Sequence, residues 1–317
     1  MKAAILYAPH DFRIENVSNG EIDEEECLIR VHACGVCHSE IHQWDQKIID
    51  LNYPRHIGHE VSGEIIKTGK KVKGFNKGDR VAVWTDGKGY AEEVKARTER
   101  IFPIAEGIAY EQAMAEPIAC STNAVLRANP SLADTVALVG TGFMGLIILQ
   151  ELRLLGLKKI IAIDIRDEML KLARALGADI TINPQKEDTL AIIKDLTNNK
   201  GVDVAFEVGG VQPTLDLTAE ICRMEGKLVI FGYHPGPRQI KDLGYWNWMA
   251  FNIINAHFRD IAVILNGARV GMELLNAGKI KMERLITNIY PIEKIEEAFK
   301  AAKDKPEGFV KSVVVME

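Results

Sequence analysis

The sequence predicts an α/β protein in two parts. A mostly antiparallel β-domain occupies residues 1–121 and regains 262–317, and a doubly wound parallel-sheet domain occupies 122–261. Three observations predict this. Up to about residue 120, short apolar strands alternate with turns rich in Gly, Lys and Asp. From about residue 122, strands alternate with helical patterns. One strand-to-helix junction carries Gly140, Gly142 and Gly145 in G-x-G-x-x-G spacing.

The elements follow in order. Lys2–Tyr7 is short and apolar. Glu26–Val36 alternates, with Ile29, Val31 and Ala33 on one face and Arg30 and His32 on the other. Glu60–Lys67 and Arg80–Trp84 are further strands, and the Lys-rich stretch between them reads as a solvated hairpin. In the second part, Thr135–Val139 is a buried strand and Phe143–Leu155 a helix. Lys159–Ile163 is a strand and Asp167–Leu176 a helix. Asp179–Ile182, Val202–Glu207, Lys227–Phe231 and Asn252–His257 are strands, with helical sequence at Lys186–Leu196. A helix at Ala262–Asn276, a strand near Leu285–Ile289, a helix at Ile292–Ala301 and a strand at Val310–Val315 close the chain. This last run is read as returning to the β-domain.

A length of 317 residues fits two domains of roughly 150 each. With 47% hydrophobic and 26% charged residues, the composition is that of a globular protein rather than a disordered one. No stretch reaches the roughly 18 apolar residues of a membrane span, and the residues from Met1 to His10 lack a signal-peptide pattern. A net charge of −5 argues against nucleic acid as a partner. The five cysteines, at positions 27, 34, 37, 120 and 222, form no paired framework. They point to a reducing, cytoplasmic setting in which thiols bind metal or are buried.

The glycine junction runs from strand to tight turn to helix, as a pyrophosphate site requires. Gly140 permits the turn, Gly142 lets the backbone approach the phosphates, and Gly145 allows close helix–sheet packing. The start of the helix, at Phe143 and Met144, offers N–H groups and a partial positive charge. Asp164 ends the second strand, 19 residues after Gly145. A carboxylate there accepts from the adenosine ribose hydroxyls and repels a 2′-phosphate, so NAD is favoured over NADP. Arg166, two residues on, weakens that preference. Val208, Gly232 and Tyr233 follow strands at the same carboxyl edge, where such sheets bind ligands; His234 joins them.

Gly35–His42 contains a thiol, a hydroxyl and two imidazoles within six residues: Cys37, Ser39, His38 and His42. His59 and Glu60 follow 22 and 23 residues after Cys37. A thiolate with an imidazole suits Zn²⁺, and a catalytic site takes three protein ligands with one position open. Glu116, ahead of Pro117 at the head of an apolar run, is a candidate third ligand. Cys120, one helical turn on, is its rival, and Glu60 could exchange with water or substrate.

Together these segments resemble the zinc-containing medium-chain dehydrogenases, the alcohol and polyol dehydrogenases with a GroES-like catalytic domain and a Rossmann coenzyme domain. The resemblance spans nearly the whole chain. It rests on Gly35–Glu40, Gly58–Glu64, Gly78–Val81, Gly89–Glu92 and the Gly140–Gly145 turn with Asp164. It implies Cys37 and His59 as zinc ligands and Glu60 as the glutamate beside the ion. Glu116 falls where sorbitol-type enzymes have Glu before Pro. Ser39 and His42 match the family's proton relay, and Lys311 a basic residue near the pyrophosphate. The chain lacks the four-cysteine lobe of a second, structural zinc, which implies one zinc per subunit.

The implied activity is hydride transfer between NAD(H) and a polyol, sugar alcohol or secondary alcohol or ketone. Zinc would act as Lewis acid, the site would lie between the domains, and the protein would be a homodimer or homotetramer. The competing reading is a zinc-free quinone or enone reductase of the same fold. A metal assay separates the two.

Overall fold

The computed structural model describes residues 1–46 and 51–316. The chain forms two compact units, Met1–Ala119 joined by the chain from Ile264 onward, and Cys120–Val263.

In the first unit, β1 (Lys2–Ala8) and β2 (Asp11–Asn16) form an antiparallel pair. Next come β3 (Glu26–Gly35), α1 (His38–Trp44), β4 (Glu60–Thr68), β5 (Arg80–Trp84), β6 (Glu93–Arg97) and β7 (Ile101–Pro103), and α2 (Ala115–Ala128) starts in this unit and runs on into the second. Cys27, Ile29, Val31 and Ala33 of β3 are all buried, as alternation requires. They join Val61, Ile65, Val81, Val83, Tyr90 and Phe299, buried hydrophobic side chains of the same unit. Each fully buried Ile, Val or Phe contributes about 1.5–3 kcal/mol relative to exposure. In α1, Ile41 and Trp44 are spaced to share one face, and both are buried.

The second unit holds β8 (Thr135–Val139), α3 (Phe143–Leu152), β9 (Lys159–Ile163), α4 (Asp167–Ala175), β10 (Ile180–Ile182) and α5 (Thr189–Leu196). It continues with β11 (Val202–Glu207), α6 (Gln212–Ile221), β12 (Cys222–Ile230), α7 (Leu243–Met249) and β13 (Asn252–Asn255). The strands form one parallel sheet in the order β10-β9-β8-β11-β12-β13. This is the doubly wound Rossmann order, with its switch point at β8 and β11. Val139 pairs with Ile163 and with Glu207, and Glu207 pairs with Ile230. That register brings Gly140, Asp164, Val208 and Gly232 to one carboxyl edge.

The chain then forms α8 (Ile261–Asn276), β14 (Asn288–Pro291), α9 (Ile295–Asp304) and β15 (Ser312–Val315). β15 pairs antiparallel with β3 and parallel with β14, completing the sheet order β14-β15-β3-β4-β5-β7, with β6 also on β3. The C-terminal run therefore returns to the β-rich unit.

Several elements differ from expectation. α6 and α7 lie where the sequence reading places no helix. α6 opens with Pro213 in its first turn, where the missing N–H costs nothing. α7 is only seven residues long and rich in aromatics, so it shows little helical period. α5 starts at Thr189 rather than Lys186, because the Asp188 side chain accepts from Ala191 N at 3.0 Å and caps the helix there. β12 begins at Cys222, ahead of Lys227, and β14 lies beyond Leu285, whose N–H turns back to the Met282 carbonyl.

Candidate functional site

Strand register assembles a cluster in the first unit. Gly35, at the end of β3, pairs with Glu60, at the start of β4, and with Val313 of β15. Cys37, His59, Glu60 and Lys311 all lie within two residues of these positions. Cys37 is the N-cap of α1. Ligand atoms of Cys37, His59 and Glu60 lie within 4.8 Å of one another.

Each member is oriented by a neighbour. Glu40 Oε1 lies 2.7 Å from His59 Nδ1 and accepts from Gly58 N at 2.7 Å, while Glu40 Oε2 accepts from Tyr90 Oη at 2.8 Å. Burial alone would push the Glu40 carboxyl up, but His59, Tyr90 and the Gly58 N–H hold it below its ordinary value. Burial also works against charge on His59. Glu40 and the Cys37 thiolate outweigh it and raise the imidazole well above its usual range. With Nδ1 turned to Glu40, the other ring nitrogen serves the Cys37 side. Ser39 Oγ donates to Cys37 Sγ at 3.2 Å.

Lys311 is buried, and its ammonium lies 2.8 Å from Glu60 Oε1 and 2.6 Å from Oε2. Burial opposes that charge, but Glu60, Cys37 and Glu116 together raise the Lys311 pKa. The resemblance implies a basic residue near the pyrophosphate at Lys311; in the structure its ammonium contacts both oxygens of Glu60. Among the described residues, the structure gathers Cys37, His59 and Glu60 into one donor set. Glu116 is half-buried in the first turn of α2, where its charge acts on Lys311. His42 is buried on α1, edge-on to the exposed ring of His38, with centroids 4.7 Å apart.

A thiolate, an imidazole and a carboxylate form a mixed sulfur, nitrogen and oxygen set of three, the donor chemistry of a catalytic zinc site with one position open. A carboxylate hydrogen-bonded to the ligand histidine is the usual outer partner of such a site. The residues fit zinc. Glu40 is a member of this site that the sequence pattern does not reveal. Its one trace there is a carboxylate three positions after Cys37, on the same side of α1.

In the second unit, Gly140 has φ +108°, and a Cβ on Gly145 would lie 2.2 Å from the Gly140 carbonyl oxygen. The turn can be built only with glycine there. A Cβ on Gly142 would meet nothing closer than Arg166 Nη2 at 3.8 Å, so space is open beside the turn. α3 starts at Phe143 with Gly142 as N-cap and no side-chain cap, which suits an anion from outside. Phe143 is buried and Met144 half-buried. Asp164 accepts from Thr141 N at 2.8 Å and from Arg166 N at 3.0 Å, which fixes its carboxylate beside the turn. Arg166 Nε lies 3.8 Å from Asp164 Oδ1. Val208 N and Gly209 N donate to the Val139 carbonyl, and Gly232 N to that of Glu207. Tyr233 is exposed at the same edge. The residues fit a dinucleotide.

The alcohol dehydrogenase GroES-like domain family matches residues 23–130, and the zinc-binding dehydrogenase family matches residues 144–267. Sorbitol dehydrogenase of Bacillus subtilis (strain 168) is 30% identical, over 95% of this chain and 93% of that protein. The crystal structure of 2R,3R-butanediol dehydrogenase from Bacillus subtilis superposes with a TM-score of 0.86 at 27% identity, over 99% of each chain. A dehydrogenase of Sinorhizobium meliloti 1021, assigned as zinc-binding and solved with NADP, has a TM-score of 0.86. It covers 99% of this chain and 98% of that one and, at 22% identity, shows the fold alone. Among the described residues no helix is long and apolar enough to cross a membrane. With a GroES-like unit, a Rossmann unit and these relatives, the chain belongs to the zinc-type medium-chain alcohol and polyol dehydrogenase family of oxidoreductases.

Proposed function

We propose that this protein is a zinc-requiring, NAD-dependent dehydrogenase of a polyol, sugar alcohol or secondary alcohol, working as a homo-oligomer in the cytoplasm. The observation that carries the reading is the donor set of Cys37, His59 and Glu60 within 4.8 Å. Relatives named for sorbitol and for butanediol support the substrate class.

Cys37 and His59 would hold the ion, with Glu60 as the third donor and Glu116 near enough to act on Lys311. A bound zinc supplies Lewis acidity to an alcohol oxygen, and NAD supplies the hydride acceptor. Glu40 keeps the His59 ring turned so that one nitrogen faces Cys37. Lys311 balances the charge of Glu60. Ser39 and His42 are three residues apart on α1 and so share a face of the helix. In this reading Ser39 and His42 belong to the relay that carries away the proton the alcohol loses. In the second unit, the glycine turn and the start of α3 hold the pyrophosphate, and Asp164 holds the adenosine ribose. Arg166 lies beside it and tempers the bias against a 2′-phosphate.

Metal analysis of the purified protein, followed by an NAD-coupled screen of polyols, sugar alcohols and secondary alcohols, tests this. The expected result is about one zinc per chain and oxidation of a member of the panel that chelation abolishes and zinc restores. Full activity in metal-free protein would instead support the zinc-free reductase.

A further inference from the structure

A group of charged side chains in the second unit has no part in the chemistry above. Glu207, the last residue of β11, is completely buried. Its Oε1 accepts from Gly210 N at 2.7 Å and from Thr214 Oγ1 at 2.5 Å, and its Oε2 lies 2.8 Å from His234 Nε2. His234 Nδ1 lies 3.1 Å from Arg238 Nε. A guanidinium can only donate, so Nδ1 accepts and the ring proton sits on Nε2, facing Glu207. The relay from Arg238 through His234 to Glu207 therefore has a fixed polarity. Arg238 also donates to the carbonyls of Gly210 at 3.0 Å and Pro237 at 3.1 Å.

The relay ties the loop after β11 to the loop after β12. The two meet too closely for a side chain: a Cβ on Gly232 would lie 2.5 Å from Glu207 Oε2 and 2.5 Å from Gly210 N. A buried carboxylate is tolerated only when its oxygens are satisfied, and a fully connected network of this kind makes its surroundings rigid. These loops are therefore locked to each other.

Sheet topology says what the locked loops face. The glycine turn follows β8, and Asp164 follows β9, which places the adenosine half of a dinucleotide on that side of the switch point. A ligand lying across the carboxyl ends of the strands then extends its other half toward β11 and β12. We propose that Glu207, His234 and Arg238 are positioning residues for the nicotinamide half of the cofactor, acting through the backbone at Val208–Gly210 and Gly232–Tyr233. This rests on the dinucleotide reading given above.

The test compares NADH with ADP-ribose, which has the adenosine, pyrophosphate and second ribose but no nicotinamide. Dissociation constants for both are measured on the whole protein and on Arg238→Met, Arg238→Lys and Glu207→Gln, with circular dichroism to confirm folding. Arg238→Met and Glu207→Gln should weaken NADH about tenfold, the loss of roughly one hydrogen bond's worth of orientation, and leave ADP-ribose within about twofold. Arg238→Lys, which keeps a donor for His234, should recover part of the loss. The emission of bound NADH should move toward that of the free cofactor in the two weakened variants. Equal weakening of both ligands would mean a merely structural role and would overturn the proposal, as would unchanged NADH binding. Failure of the unsubstituted protein to bind ADP-ribose would remove the dinucleotide reading itself, and the proposal with it.

Discussion

Glu40 Oε1 lies 2.7 Å from His59 Nδ1, and Glu40 is only 1% exposed. The contact fixes the ring of a proposed metal ligand from behind, and losing such a partner typically costs 10–100-fold in metal affinity. Glu40→Gln should therefore lower zinc affinity by roughly that factor, as read by competition with a chromogenic chelator. Unchanged affinity would mean that the contact serves folding alone.

Lys311 and Glu60 form a buried ion pair, with contacts of 2.6 and 2.8 Å. Removing one partner of such a pair leaves an uncompensated buried charge and costs about 3–5 kcal/mol. Lys311→Met should lower the melting temperature of the metal-free protein by several degrees. Zinc should then raise it by more than it raises the unsubstituted protein, because a cation again faces Glu60. Equal zinc-induced shifts in the two proteins would count against Glu60 as a donor.

Asp164 accepts from Thr141 N and Arg166 N, and in the proposed function it holds the adenosine ribose. Asp164→Gly should weaken NAD by about tenfold or more, the worth of a charge-assisted hydrogen bond, and narrow the preference over NADP. Retained discrimination between the two dinucleotides, measured as the ratio of their dissociation constants, would reassign the choice to other residues.

Glu151, on α3, is 3% exposed and accepts from Thr122 Oγ1 at 2.6 Å. Burial pushes its carboxyl up to about 8. The folded protein holds this proton where the unfolded chain, at an ordinary carboxylate value near 4.5, has lost it. The stabilisation is complete below about pH 4.5 and is lost as pH rises through about 8. At roughly 1.4 kcal/mol per pKa unit, several kcal/mol are involved. Glu151→Gln should melt higher than the unsubstituted protein at pH 9, with the gap closing toward pH 5. A gap independent of pH would mean that the carboxyl is ionised throughout.

The fold was legible because it is written in local period. The alternation in β3 and the apolar runs of β8, β9 and β11 are visible without knowing their neighbours. α6 and α7 were not, because a proline in the first turn and a run of aromatics blur the helical pattern. The site divides along the same line. Cys37, His59, Glu60 and the glycine turn announce themselves by residue type and spacing. Glu40 gains its role from Tyr90, 50 residues on, and Lys311 reaches Glu60 across 251 residues of sequence. Pairings of that range come from strand register, which places β15 beside β3 and β3 beside β4, and no single segment encodes them. The Glu207–His234–Arg238 relay was half visible, as a histidine near the sheet edge, but its polarity depends on an arginine that carried no signal.

Anomalous diffraction at the zinc absorption edge, on crystals grown with the metal, tests the central claim most directly. The account predicts one peak, about 2.3 Å from Cys37 Sγ and about 2.0–2.1 Å from the His59 nitrogen opposite Glu40. No peak among Cys37, His59 and Glu60, with zinc bound elsewhere or not at all, would contradict it.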